Sequence, residues 1–153
     1  MKSKALSPLN TRLFKLAANT YEVKIASCDS ASAKPIAALG EHEFEGLRVI
    51  VSRGDFAKYM QDIVTSLEKA WLYAENDTQK RMIESYVTHF RGGDVEHHKE
   101  AMQSWIKDIG PVVETNIGYI ETYLDPLGVR AEFEGFVAVV DKQLSAKFNT
   151  LVD

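Results

Sequence analysis

Val49-Ile50-Val51-Ser52-Arg53-Gly54-Asp55-Phe56-Ala57-Lys58-Tyr59-Met60-Gln61-Asp62-Ile63-Val64 is where the chain changes its period. Before Gly54, Phe44, Leu47, Val49 and Val51 sit in a β-rich run, Glu43 to Ser52, interrupted at Gly46. That spacing predicts a strand or a hairpin. After Gly54, Phe56, Met60, Ile63, Val64, Leu67, Trp71 and Leu72 recur at steps of three and four. Such a stripe predicts an amphipathic helix, because 3.6 residues per turn gathers those positions on one face. Asp55 stands where a helix N-cap would stand, since its carboxylate can accept from the first free N–H groups. A strand-to-helix turn with an aspartate cap therefore accounts for Ser52-Arg53-Gly54-Asp55. The tetrapeptide lacks both the glycine spacing and the Lys-Ser/Thr of a phosphate loop.

Working outward, Asn10 to Lys15 and Tyr21 to Ala26 read as extended. In the second, Tyr21, Val23 and Ile25 alternate with Glu22 and Lys24, and Ala18-Asn19-Thr20 supplies a turn between the two. Ser27 to Leu39 is small and polar, holds Pro35, and reads as a loop. Downstream, Asn76-Asp77-Thr78 breaks the first helix. A second helix carries Met82, Ile83, Tyr86, Val87 and Phe90 and stops at Gly92-Gly93. Asp94 caps a third, with Val95, His98, Met102, Trp105 and Ile106, expected to end at Gly110-Pro111. From Val112 the pattern turns β-rich again, extended through Tyr123, with a turn at Asp125-Pro126 and a second run from Phe133 to Val140. Asp141 to Val152 reads as helix, with Leu144, Phe148 and Leu151 on one face. It carries no glycine, proline or cationic last turn before Asp153, so the chain is expected to be cut there rather than finished. The fold class is α+β.

Composition narrows the function. The 153 residues are 45% hydrophobic and 26% charged, ordinary for a globular domain. With 22 acidic against 18 basic residues and a net charge of −4, there is no basic face to suit nucleic acid. The longest apolar run, Phe136 to Val140, is far short of the roughly 30 Å hydrocarbon layer, so no membrane span is expected. Met1 to Ser7 has two lysines but no apolar core behind them, unlike a secretory signal, and Cys28 is the single cysteine. A reducing, cytoplasmic setting is expected.

Among titratable clusters, Glu96-His97-His98-Lys99-Glu100 is the densest. A helical metal site needs ligands about four apart, and the i+4 partners of His97 and His98 are Ala101 and Met102. Only a His97/Glu100 pair is geometrically open, and a solvated first turn with acids at the positive helix end explains the cluster. His42 and His89 stand alone and read as surface or hydrogen-bonded. Cys28 has no neighbouring base. Tyr59, Trp71, Tyr73, Tyr86 and Trp105 fall at packing intervals, as core or interface filler would. The run from Gly110 to Pro126 differs. Glu114, Asn116 and Gly118 alternate onto one strand face, with Thr115, Ile117 and Tyr119 opposite. A carboxylate beside an amide suits capture of an ammonium group, and glycine admits a ligand to the backbone. A solvent-facing polar strand face explains the same pattern.

Several stretches resemble the dipeptidyl peptidase III family of zinc-dependent exopeptidases. They are Leu9 to Lys15, Tyr21 to Val23, Val51 to Asp55, Trp105 to Asp108, Gly110 to Tyr123, Glu132 to Val140, and Ser145 to Phe148. The likeness is collinear from about Ser7 to the last residue, and its specific blocks are Gly110-Pro111-Val112-Val113-Glu114 and Glu132-Phe133-Glu134-Gly135-Phe136-Val137-Ala138-Val139-Val140. The resemblance implies a much longer two-lobed enzyme with a β-barrel in its lower lobe and a peptide cleft between the lobes. Residues 1–140 would belong to the lower lobe as a partial barrel with a three-helix segment. Residues 141–153 would begin a truncated helix leading to the upper lobe. The family's zinc site, a His-Glu-x-x-x-His helix plus a glutamate, has no counterpart in these 153 residues. Zinc is thus expected in the parent enzyme and not in this fragment, which alone is expected to be inactive. By resemblance Glu114 matches the glutamate that holds the substrate's free amino group. Asn116 falls where some members carry a substrate-bonding tyrosine, and so departs from them. Short peptides are the expected partners, with the remainder of the parent chain packed on this fragment. The alternative is a naturally short, non-catalytic peptide-binding or interaction module.

Overall fold

The structure is a computed structural model that describes residues 6–28, 36–119, 121, 126, 128 and 131–152. The chain divides into two compact units, Met1–Trp105 and Ile106–Asp153.

In the first unit, a 3-10 turn at Pro8–Asn10 leads into β1 (Thr11–Ala17), followed by β2 (Thr20–Ala26), β3 (Gly40–Phe44) and β4 (Leu47–Asp55). They form one open sheet in the order β1-β2-β4-β3. β2 runs parallel to β4, and the two outer pairings are antiparallel. The β3–β4 hairpin turns at Glu45-Gly46, both at positive φ, which suits a glycine second. The alternation in β2 places Val23 and Ile25 in a core with Ala38 and Val51, against which Leu6, Ile36, Leu39 and Val49 pack.

Three helices follow: α1 (Ala57–Trp71), α2 (Asp77–Gly92) and α3 (Val95–Trp105). Asn76 caps α2 by accepting from the Gln79 N–H at 2.9 Å. The apolar stripe of α2 buries Met82, Ile83, Tyr86, Val87 and Phe90, and Val64 and Ala101 are buried from α1 and α3.

Two expectations about these elements are corrected. Asp55 is not a helix cap. Its pairing with Ala26 follows a bulge at Ile25/Ala26, and β4 runs through it. Gly54 takes φ 89° at that bulge, and Phe56, with φ 56° and ψ 28°, occupies the cap position without a side-chain bond. The bulge carries the strand's pairing past the glycine, so the aspartate faces β1 instead of the helix. Second, α3 ends at Trp105 and not at Gly110. Ile106 and Ile109, which continue the apolar pattern in sequence, are 67% and 93% exposed, so no burial sustains further turns.

The C-terminal end of α2 ties the helices to the sheet. A helix leaves its last carbonyls without intrahelical donors. Here the Cys28 N–H donates to the Phe90 carbonyl (3.0 Å), Arg53 Nε to that of Gly92 (2.8 Å) and Asn10 Nδ2 to that of Gly93 (2.7 Å). Gly93 itself, at φ 80°, lies so close to β2 that a Cβ would stand 2.4 Å from Ile25 Cγ2 and 3.0 Å from the Ala26 carbonyl oxygen.

The second unit pairs β5 (Val113–Tyr119) antiparallel with β6 (Phe133–Val139) and ends in α4 (Lys142–Val152). Asp141 caps α4, accepting from the N–H groups of Gln143 (3.1 Å) and Leu144 (2.9 Å). The extended path expected beyond Tyr119 to Tyr123 and the turn expected at Asp125-Pro126 fall on residues outside the described set, apart from Glu121 and Pro126. So do residues 29–35 of the expected loop. The described chain is thus α+β, with two small sheets and four α-helices among the described residues.

Candidate functional site

The β5–β6 register sorts the polar and apolar residues. Glu114 lies opposite Ala138, Asn116 opposite Phe136, and Gly118 opposite Glu134. Directly opposed residues share a face, so these six form one side of the ribbon. The other side holds Val113 with Val139, Thr115 with Val137, Ile117 with Gly135, and Tyr119 with Phe133. The Tyr119 and Phe133 rings meet edge-on with centroids 5.1 Å apart, and burial pushes the Tyr119 phenol pKa up. Ile117 lies over Gly135, where an added Cβ would be in ordinary contact at 3.6 Å. Thr115 Oγ1 donates to the Phe136 carbonyl at 3.1 Å.

The structure therefore brings Glu114 and Asn116 to one face, two residues apart on the same strand, with a third acceptor residue, Glu134, on that face. Neither strand carries a lysine or arginine. Asn116 Oδ1 is buried and accepts no hydrogen bond among the described residues. A buried acceptor left unsatisfied costs about 1–3 kcal/mol. The face thus concentrates acceptors, the complement of a group that is all donors.

Elsewhere the histidines sort differently. His97 Nδ1 and Glu100 Oε2 lie 2.8 Å apart, so the single open metal pair is an internal contact on α3. Among the described residues no three His, Cys, Asp or Glu side chains are disposed to hold a metal ion. His42 Nε2 lies 2.6 Å from the Ala38 carbonyl oxygen. His98 is not part of a solvated turn: it is buried against Tyr86, ring centroids 6.0 Å apart, while Glu96, Lys99 and Glu100 are exposed. Of the aromatic residues read as filler, Tyr86 is fully buried, whereas Tyr59 and Tyr73 are 65% and 87% exposed. Trp71 donates from Nε1 to Glu84 at 2.9 Å. Cys28 has its thiol pKa raised by burial, which leaves it a poor nucleophile.

Sequence reasoning missed the pair that closes the β1–β4 end of the sheet. Arg12 donates from Nε (2.7 Å) and Nη2 (2.5 Å) to the two oxygens of the buried Asp55, with its guanidinium over Phe56 (4.2 Å to the centroid) and Phe14 (5.0 Å). The two residues stand 43 positions apart, and only the fold juxtaposes them.

The ribbon of β5 and β6 thus presents one polar, acceptor-bearing face and one largely apolar face. The whole chain, residues 1–153, matches peptidase family M49, and it belongs to that family. It is 44% identical over 153 residues to dipeptidyl peptidase 3 of Dictyostelium discoideum, all of this chain and 21% of that protein. It is 46% identical over 160 residues to dipeptidyl peptidase 3 of Homo sapiens, 99% of this chain and 22% of that protein. A solved structure of DPP III from Caldithrix abyssi superposes with a TM-score of 0.52 at 25% identity, over 73% of this chain and 21% of that one. The chain thus spans about a fifth of the length of the curated relatives it matches.

Proposed function

We propose that this chain is a segment of a cytoplasmic, zinc-dependent dipeptidyl peptidase and carries part of the subsite for the substrate's amino terminus. Family membership and the names of the relatives support the peptidase reading. The observation that carries the subsite reading is the shared face of Glu114 and Asn116 on β5, with the Asn116 oxygen buried and without a donor among the described residues. An ammonium group brings three donors and a charge. Glu114 pairs with the charge, and fixing that end registers cleavage two residues in. The zinc and the groups that activate water belong to the rest of the parent, which packs on this segment. Residues 1–140 belong to one lobe, and 141–153 lead to the other.

In the full-length protein, Glu114→Ala is expected to lower kcat/KM for dipeptidyl arylamides roughly 10- to 100-fold, the worth of one hydrogen bond to a charged group. Unchanged kcat/KM removes Glu114 from the subsite. The purified 153-residue chain is expected to hydrolyse nothing; chelator-sensitive cleavage by it would overturn the reading. The rival, a short non-catalytic peptide-binding module, is decided by the gene. A reading frame continuing into a His-Glu-x-x-x-His helix supports the enzyme, and a stop codon after Asp153 supports the module.

A further inference from the structure

Two buried imidazoles meet where α2 packs on α3. His89 of α2 is 3% exposed, His98 of α3 is 9% exposed, and their ring centroids lie 5.5 Å apart at an interplanar angle of 50°. Phe90 lies 5.1 Å from the His89 ring, and Tyr86 lies 6.0 Å from the His98 ring. His89 Nδ1 lies 2.9 Å from the carbonyl oxygen of Asp94, which only accepts, so Nδ1 carries the proton in the neutral ring. The same residue's carbonyl accepts the Gly93 N–H at 2.6 Å. Asp94 in turn caps α3 through its Oδ1 on the Glu96 N–H at 3.0 Å. His89 thus grips both sides of the two-residue link that sets α3 against α2.

We propose that His89 and His98 form an acid-sensitive latch that holds α3 on α2 while both rings are neutral and releases it when either takes a proton. A charged imidazole here would be desolvated and would face a second imidazole. The titratable groups around it come from each element at the junction: Tyr86 on α2, Asp94 in the link, and His97 and His98 on α3. Asp94 alone of these bears a negative charge, and its carboxylate is committed to the start of α3.

Burial is the largest influence on His89 and pushes its pKa down to about 4; the Asp94 carbonyl and carboxylate oppose it more weakly, while His98 and His97 add to it. Burial also lowers the pKa of His98. A folded pKa below the released one means the latch is at full strength above pH 6.5 and is lost as pH falls toward 4. Over that window the release equilibrium shifts about 300-fold for one proton, near tenfold per pH unit.

The test is a titration of the 153-residue chain between pH 7 and 4, following the histidine ring Cε1–H signals by NMR. Amide exchange in α3, β2 and β4 is measured alongside, corrected for intrinsic chemistry. The expected result is that His89 stays neutral through pH 5 and that α3 protection falls about tenfold per unit ahead of β2 and β4. His89→Asn, which keeps a donor for the Asp94 carbonyl but cannot titrate, should flatten most of that slope. The double variant His89→Asn/His98→Phe should abolish it. A wild-type His89 that protonates near 6.5 with α3 protection intact overturns the proposal, as does α3 exchange that parallels the sheet at every pH. Should a variant fail to fold at pH 7, the wild-type comparison alone decides.

Discussion

Replacing Gly93 with alanine tests whether the end of α2 is seated on β2 as closely as the geometry requires. Two effects act at this position. A left-handed backbone at φ 80° costs an L-residue roughly 1–2 kcal/mol. The new Cβ would also stand 2.4 Å from Ile25 Cγ2, inside a core where Ile25 is 1% exposed and its neighbour Val23 is 6% exposed, and 3.0 Å from a backbone oxygen that cannot turn aside. Overpacking of that kind costs about 1–3 kcal/mol. The sum is roughly 2–5 kcal/mol. Gly46 supplies the control, because it sits at φ 77° in the hairpin with nothing within 4 Å of an added Cβ. Gly46→Ala should bear only the conformational part, and the gain from a stiffer unfolded chain is common to both variants. Trp71 and Trp105 both lie in the first unit, so urea unfolding followed by fluorescence reports that unit alone. Gly93→Ala is expected to lose about 1–3 kcal/mol more than Gly46→Ala. Equal losses, within about 0.5 kcal/mol, would refute the close seating of α2 on the sheet.

The ion pairs should separate by burial. Asp55→Asn, which weakens the bond from Arg12 at a site 5% exposed, is expected to cost about 1–2 kcal/mol in the same fluorescence assay, and the full stability retained would count against it. Arg48→Ala breaks an exposed pair with Glu41 and should leave the midpoint unmoved. On α4, Leu144, Phe148 and Leu151 are 49%, 57% and 80% exposed along one stripe, so the chain should self-associate at high concentration. Phe148→Ser should lower the weight-average mass in sedimentation, and an ideal monomer in the unmodified chain would dismiss the idea.

Period and punctuation made most elements legible. The alternation of Tyr21, Val23 and Ile25, the stripe from Met60 to Trp71, and the stops at Asn76 and Gly92-Gly93 each reflect local physics that the fold does not override. What escaped is long-range. Asp55 looked like a cap because caps are local, whereas its partner Arg12 is 43 residues away and reaches it only after β1, β2 and β4 align. His89 and His98 are nine residues apart on different helices, so no single-face spacing joins them; the turn at Gly93-Asp94 does. Glu114 and Asn116 were placed on one face by simple alternation, and the strand pairing agrees. What alternation could not supply is the register with β6, which sets Phe136 and Glu134 on that same face.

The three donors on the end of α2 also set an order of events. Asn10 and Arg53 stand 83 and 39 residues before the carbonyls they satisfy. On a ribosome adding about 5–20 residues per second, Asn10 waits roughly 4–17 s for Gly93 to be made. Until then the nascent sheet has its strands but not its anchor to α2. The sheet is therefore tied down only once the end of α2 has been made, and a pause in translation between Arg53 and Gly93 would lengthen the interval before that anchor forms.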